Sequence, residues 1–256
     1  MVYIITDMKN LIDIILPNYN SEHTIKNTVK SIRNQSFKDW RLIIVDDCSN
    51  IKTKKILKQL EKNIKIKIFY LKKNKGAAYC RNLAISKSNA DFLAFIDSDD
   101  IWEKNKLKFQ INFMKKNNYS FTYTYYKTFS NIKNNVNLIR TPNKFTFEKF
   151  ITNTSIGTST MIIKSSVAKN LKFINTKICE DYFYKCQLLK KIKVAHCYPF
   201  FLTKYQIRKD SLQSKKIRNL LWMWNINKNY NKFNFFKNLY SIFFISLNSL
   251  KKYGFK

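Results

Sequence analysis

Three glycines and three prolines among 256 residues leave little room for flexible joints, and no Pro/Gly-rich linker or low-complexity stretch interrupts the chain. No GxGxxG follows the first apolar run, which argues against a dinucleotide-binding dehydrogenase. The five cysteines (Cys48, Cys80, Cys179, Cys186 and Cys197) are odd in number, widely spaced and without a CxxC pair, so they read as reduced thiols and imply no zinc site. His23 and His196 stand alone and carry no assigned role. The longest apolar segment near the C-terminus, 239–250, is broken by Ser and Asn and falls short of the ~20 residues that cross a bilayer. No basic region followed by an apolar stretch and a small-residue cleavage site opens the chain, so a cytoplasmic protein is expected.

Acidic residues are scarce as well: 16 against 48 basic ones, a formal charge of +32. Charge of this size suggests a polyanionic partner, either nucleic acid or an anionic membrane. The excess is mostly lysine scattered along the whole chain, whereas nucleic-acid sites concentrate basic groups on one face or tail. No nucleic-acid partner is therefore expected. A hydrophobic fraction of 45% and this length suit one folded domain with an appendage.

What is present is alternation. Apolar runs at 11–16, 40–46, 64–71 and 91–97 read as strands. Between them, helical spacing covers 22–33 (behind Ser21 as N-cap), 53–61, 77–86 and 103–116. Four such repeats predict a mainly parallel sheet with helices on both faces, whose ligands sit at the carboxyl ends of the strands. After residue 118 the pattern is mixed: strands at 119–129, 159–164 and 193–207, a helix from about Asp181, and helix again from Lys215.

The few acids are gathered where that sheet would bind. Asp46 and Asp47 end the second strand, and Asp97, Asp99 and Asp100 end the fourth in "FIDSDDIW". Either cluster alone could cap a helix, Asp100 the one starting near Glu103. Two clusters on one edge favour a site. A DxD turn offers oxygens to a hard divalent cation that bridges substrate phosphates and neutralises a departing diphosphate.

With "DIILPNYN", "LIIVDDCS", "NKGAAYCRNLAI", "FIDSDDIW", "SIGTST" and "ICEDYFYKC" in that order, the chain resembles the inverting family 2 glycosyltransferases of bacterial surface-polysaccharide and lipopolysaccharide assembly. The resemblance implies the GT-A fold: a Rossmann-like α/β architecture, mainly parallel sheet flanked by helices. Its domain would span 11–205, with a nucleotide-binding half (11–117) and an acceptor-side half (118–205), after a 1–10 lead-in and before a basic, aromatic helical extension (206–256). It also implies roles. Pro17 and Tyr19 would border the nucleobase, Asp47 would accept its ring N–H, and Gly76 and Arg81 would lie beside the nucleotide, Arg81 pairing with Asp99 or facing the diphosphate. Asp97 and Asp99, with Asp100 close behind, would divide ribose and metal contacts with Mn2+ or Mg2+. Asp181 matches the catalytic base, with Glu180 the adjacent candidate.

Where many relatives have a His in a Y-x-x-H-x-x-S pattern, this chain has Arg208, which grips a diphosphate but ligates no cation. The expected activity is transfer from a nucleotide-sugar, a UDP-sugar foremost, to a glycan or lipid-linked oligosaccharide. The alternatives are a non-catalytic nucleotide-binding protein of the same fold and a basic nucleic-acid-binding protein. On a helical wheel of the tail, Phe236, Leu239, Tyr240, Phe243, Leu247 and Leu250 share one face; Asn238, Ser241, Asn248, Ser249 and Lys252 share the other. The apolar stripe would either meet an anionic membrane through 215–256, making the protein peripheral at the inner face of the cytoplasmic membrane, or pack on the catalytic domain or another subunit, which leaves a homodimer open.

Overall fold

The computed structural model describes residues 11–129, 136–176, 178–207 and 216–253; the 1–10 lead-in and Arg208 lie outside them. Among the described residues the strands are β1 (Ile12–Asn18), β2 (Trp40–Asp46), β3 (Ile66–Tyr70), β4 (Phe92–Phe95), β5 (Ile101–Trp102), β6 (Phe121–Phe129), β7 (Asn137–Ile139), β8 (Lys144–Phe145), β9 (Ile162–Lys164) and β10 (Ala195–Gln206). They form one sheet in the order β3-β2-β1-β4-β9-β6-β10-β5, with β7 on β6 and β8 on β10. The first four strands are parallel, and β9 runs antiparallel between β4 and β6. The order reverses at β1, whose neighbours are β2 and β4. At such a switch point the two following loops diverge and leave a crevice at the carboxyl edge.

The apolar runs are continuous because both faces of the strands are buried. Successive side chains alternate: Ile12, Ile14, Leu16, Leu42 and Ile44 face one core, and Ile15, Ile43, Val45, Leu93 and Phe95 face the other. Helices α1 (Ile25–Arg33), α2 (Ile51–Leu60) and α4 (Lys106–Lys116) cover the first face with Ile25, Val29, Leu57, Leu107 and Ile111. The second face is covered by α3 (Ala77–Ser86) and by the later helix at Glu180–Ile192. Each fully buried Ile or Leu contributes roughly 2 kcal/mol of apolar transfer.

Helix starts differ from the expectation in instructive ways. Helix α1 begins at Ile25 behind Thr24, because the Ser21 hydroxyl donates to Asn18 Oδ1 and holds a turn instead of capping a helix. Helix α2 begins two residues early, since Asn50 Oδ1 accepts the Thr53 N–H at 2.9 Å. The first residues of the expected 103–116 helix are a turn after β5, so α4 starts at Lys106 and Asp100 caps nothing.

The remaining helices are α5 (Phe147–Phe150), α6 (Ser165–Ala168), α7 (Glu180–Ile192), α8 (Lys216–Asn229) and α9 (Phe235–Tyr253), with a 3-10 turn at Thr158–Thr160. The tail is thus two helices, and α9 docks with the face opposite to the one expected to pack. Ser241 Oγ donates to the Ile151 carbonyl at 2.6 Å and accepts from Asn227 Nδ2 at 3.1 Å; Asn248 Nδ2 reaches the Thr152 carbonyl at 3.0 Å. Asn227 Oδ1 accepts from Tyr182 on α7 at 2.8 Å, which ties α7, α8 and α9 together. Packing of the apolar stripe on the catalytic domain is therefore overturned: these polar groups find fixed partners inward, and the stripe faces out.

Lys106 is fully buried, with Nζ 3.0 Å from Gln110 Oε1 and 4.2 Å from the centre of the Trp102 ring. Burial without a counter-ion pushes its amine well below the ordinary value of 10.5. Between the folded and unfolded values the unfolded chain binds the extra proton, so this group makes stability rise with pH. Denaturant unfolding should show the native chain gaining on Lys106→Met as pH climbs from 7 toward 10, at up to about 1.4 kcal/mol per pH unit. A constant separation at every pH would mean that the amine is charged in both states.

Candidate active site

Strand β2 delivers two carboxylates to the carboxyl edge, and the backbone uses both. Asp46 is fully buried and accepts from Asn18 Nδ2 at 2.8 Å, Ser49 N–H at 3.1 Å and Ser49 Oγ at 2.5 Å, closing the turn after the strand. Asp47 accepts the N–H groups of Lys75 (2.6 Å) and Gly76 (2.8 Å), orphan donors at the start of α3. Gly76 has φ +84°, a conformation that favours glycine, and a Cβ there would press on Asn175 Oδ1 at 3.3 Å. Tyr19 follows β1 with half its surface open, and Pro17 lies beyond the last pair of the β1–β4 ladder, Ile15↔Phe95.

Beyond β4 the chain turns sharply, with Asp100 N–H on the Asp97 carbonyl at 3.1 Å. Ser159 braces this turn: its Oγ accepts the Asp97 N–H at 3.0 Å and donates to Asp100 Oδ2. The Gln206 N–H donates to Asp100 Oδ1 at 3.0 Å, so Asp100 is buried with both oxygens engaged. Burial, then the charges of Asp99 and Asp97, push its carboxyl well above the usual range, against the hydrogen bonds from Ser159 and Gln206. The rise comes first from burial and only then from the neighbouring carboxylates.

Arg81, on the second turn of α3 and 5% exposed, crosses the cleft. Its Nη2 donates to Asp97 Oδ1 and its Nη1 to Glu180 Oε1, each at 2.7 Å. Burial alone would lower its pKa; the charges of Asp97, Glu180 and Asp181 outweigh it and raise it, so the guanidinium stays charged. The acids that Arg81 reaches are thus Asp97 and Glu180, where a pairing with Asp99 was one of the two expectations.

Glu180 and Asp181 open α7, where the helix dipole favours acids. Neighbours on a helix diverge by about a quarter turn. Thus Glu180 meets Arg81, whereas Asp181 Oδ2 accepts from Lys185 Nζ (2.6 Å) and Thr158 Oγ1 (2.7 Å). Burial would raise the Asp181 carboxyl, but the Lys185 charge, these two hydrogen bonds and Arg81 bring it down to about 2.

Hydrogen bonds therefore join Glu180, Arg81, Asp97 and, through Ser159, Asp100; Asp99 lies on the same turn, Asp181 follows Glu180 in α7 and its charge acts on Arg81, and Asp47 stands at the start of the helix that carries Arg81. Lys185, Thr158 and Ser159 had been given no role. Lys185 was legible as an i,i+4 partner of Asp181, and Thr158 and Ser159 lie within "SIGTST".

Among the described residues no three His, Cys, Asp or Glu side chains form a ready cation cage. Mg2+ and Mn2+ bound with substrate phosphates need only one or two carboxylates, because water and phosphate oxygens complete the shell. Asp97 and Asp99, two carboxylates on one turn, fit that mode, although Arg81 already holds one oxygen of Asp97. Asp100, locked by Ser159 and Gln206, fits the part of a brace better than that of a ligand.

The family model described as "Glycosyl transferase family 2" matches residues 13–201. The chain belongs to this family. This glycosyltransferase is 32% identical over 96% of its length, and 99% of the relative's, to TuaG of Bacillus subtilis, a glycosyltransferase provisionally named for teichuronic acid biosynthesis. It is 36% identical, over 84% of its length and 85% of the relative's, to the Escherichia coli UDP-Glc:alpha-D-GlcNAc-diphosphoundecaprenol beta-1,3-glucosyltransferase WfgD. Its fold is similar to that of S. aureus TarS 1-349 solved with UDP-GlcNAc (TM-score 0.71, 20% identity, covering 97% of this chain and 74% of that one). The mannosyltransferase PcManGT of Pyrobaculum calidifontis, solved with GDP-Man and Mn2+, is similar too (TM-score 0.69, 13% identity, 98% and 77% covered). The fold is that of the GT-A glycosyltransferases.

Arg81→Met would leave Asp97 and Glu180 facing each other without their shared cation. Chemical denaturation should show a loss of about 3 kcal/mol, the low end for a broken buried pair because Asp97 is 28% exposed. Adding Glu180→Gln should recover part of it by removing one of the repelling charges; strictly additive losses would show that the clamp is not a unit.

Proposed function

We propose that this glycosyltransferase moves a sugar from a UDP-sugar to a lipid-linked saccharide acceptor of surface-polysaccharide assembly, with inversion at the anomeric carbon. The observation that carries the reading is the ionised Asp181, held by Lys185 and Thr158 and joined through the Glu180–Arg81–Asp97 bridge to the acid turn at the carboxyl edge of the sheet. The relatives' names supply the substrate classes: a UDP-glucose donor and a GlcNAc-diphosphoundecaprenol acceptor for WfgD.

Tyr19 offers an aromatic face to a nucleobase and Pro17 shapes the wall behind it. Asp47 already binds two backbone donors, and the remaining lone pairs of its carboxylate would accept the ring N–H of uracil. Gly76 lets the donor approach α3 without a side chain in the way. A divalent cation, Mn2+ or Mg2+, held by Asp99 and Asp97 would neutralise charge on the leaving diphosphate. The acceptor hydroxyl oxygen bonds to the anomeric carbon as the bond from that carbon to the diphosphate oxygen breaks; the electron pair leaves with UDP and the hydroxyl proton passes to Asp181. Lys185 keeps Asp181 ionised at every working pH, at some sacrifice of basicity.

Asp181→Asn should lower the transfer rate by roughly 10²–10⁴-fold, the range for loss of a general base, while UDP-sugar affinity changes little. Full activity in that variant would reject the assignment. In the native chain Asp181 should produce no acid limb between pH 5 and 8, since its carboxyl sits at about 2. Lys185→Met raises that carboxyl, so an acid limb should enter the pH–rate profile from below; a profile unchanged in shape would detach Lys185 from the proton transfer.

A further inference from the structure

We infer that the outward face of α9 is a docking surface for an anionic phospholipid bilayer, on which the enzyme rests without crossing it. The polar side of α9 is spent on the protein: Ser241 and Asn248 bond to the carbonyls of Ile151 and Thr152, and Asn238 Nδ2 bonds to that of Trp224. What remains outside is apolar: Phe236 is 79% exposed, Leu239 50%, Tyr240 55%, Phe243 56% and Leu247 37%. These positions recur at helical spacing along a rod of about 28 Å, and a soluble surface rarely carries so large a contiguous apolar strip without a partner.

Charge selects the partner. From 216 to 253 the sequence has seven basic residues and no acidic one; Lys228, Lys232, Lys237 and Lys251 are exposed, whereas Lys252 lies on the inward face, where burial brings its amine down to about 8. A second copy seated face to face would oppose like charges, whereas an anionic membrane satisfies the lysines and the aromatic strip together. At one end of the strip, Phe236 and Tyr240 wall a shallow groove of about 760 Å³ that Lys149, Lys237 and Glu148 also line, so its net charge is only weakly positive and the groove is no phosphate seat by itself. Among the described residues no helix is long and apolar enough to cross a membrane, so the contact is interfacial. This inference stands on α9 and the basic groups around it and does not depend on the donor or acceptor proposed above.

The test is co-sedimentation of the full chain with vesicles of phosphatidylglycerol and phosphatidylethanolamine, against vesicles of phosphatidylcholine alone. The anionic vesicles should bind on the order of tenfold more tightly, and about 0.5 M salt should weaken the binding. Phe236→Glu combined with Phe243→Glu should cut binding by tenfold or more while the thermal midpoint and the UDP-sugar hydrolysis rate stay native; Phe243→Glu alone should cut it by a lesser factor. Lys55→Glu with Lys58→Glu, on α2, should leave binding within about twofold. Equal losses from the α2 and α9 pairs would overturn the inference in favour of diffuse lysine adsorption. A dimer in solution that the α9 substitutions dissolve, with no vesicle binding, would overturn it in favour of a second copy.

Discussion

A buried guanidinium holds this site together. Asp97 follows the fourth strand and Glu180 opens a helix 83 residues later, and two carboxylates that share one cation repel without it. Arg81 lies between them with one arm on each, and its burial keeps water from weakening either contact. The position of Arg81 is itself set from below, because Asp47 grips the first backbone donors of α3 and fixes where that helix starts. One chain of contacts thus runs from the second strand through α3 to the acid turn and on to α7. Asp181 has its place in the cleft because its neighbour in sequence is pinned.

The nucleotide half of the fold was largely legible, for a physical reason. Parallel strands buried on both faces appear as unbroken apolar runs, and the helices between them keep a strict amphipathic period. The acid clusters were legible because carboxylates are scarce in this chain and both fall at strand ends. Gly76 stood out for the same scarcity, and its positive φ gives the reason for it.

Other features depend on groups far apart in sequence, and no local pattern encodes them. Helical spacing placed Arg81 on α3 but could not choose among the acids it would reach. The strands β5, β7 and β8 are two or three residues long, too short to show a period. The two faces of α9 were separated correctly on a helical wheel, yet which one turns inward was decided by the carbonyls of Ile151 and Thr152 and by Asn227, all on other elements. A polar stripe can bury itself, here together with Ile245, when its partners are waiting in fixed positions, and the larger apolar face is then left outside.

That reversal has a mechanical consequence. Apolar surfaces tolerate sliding, but hydrogen bonds have preferred directions, so Ser241, Asn227 and Asn248 lock α9 against rotation about its own axis. Because Asn227 also holds Tyr182, the residue after Asp181, the azimuth of the outer rod and the aim of α7 are indexed to each other. Any surface that met the outward face of α9 would therefore meet the cleft at one set angle.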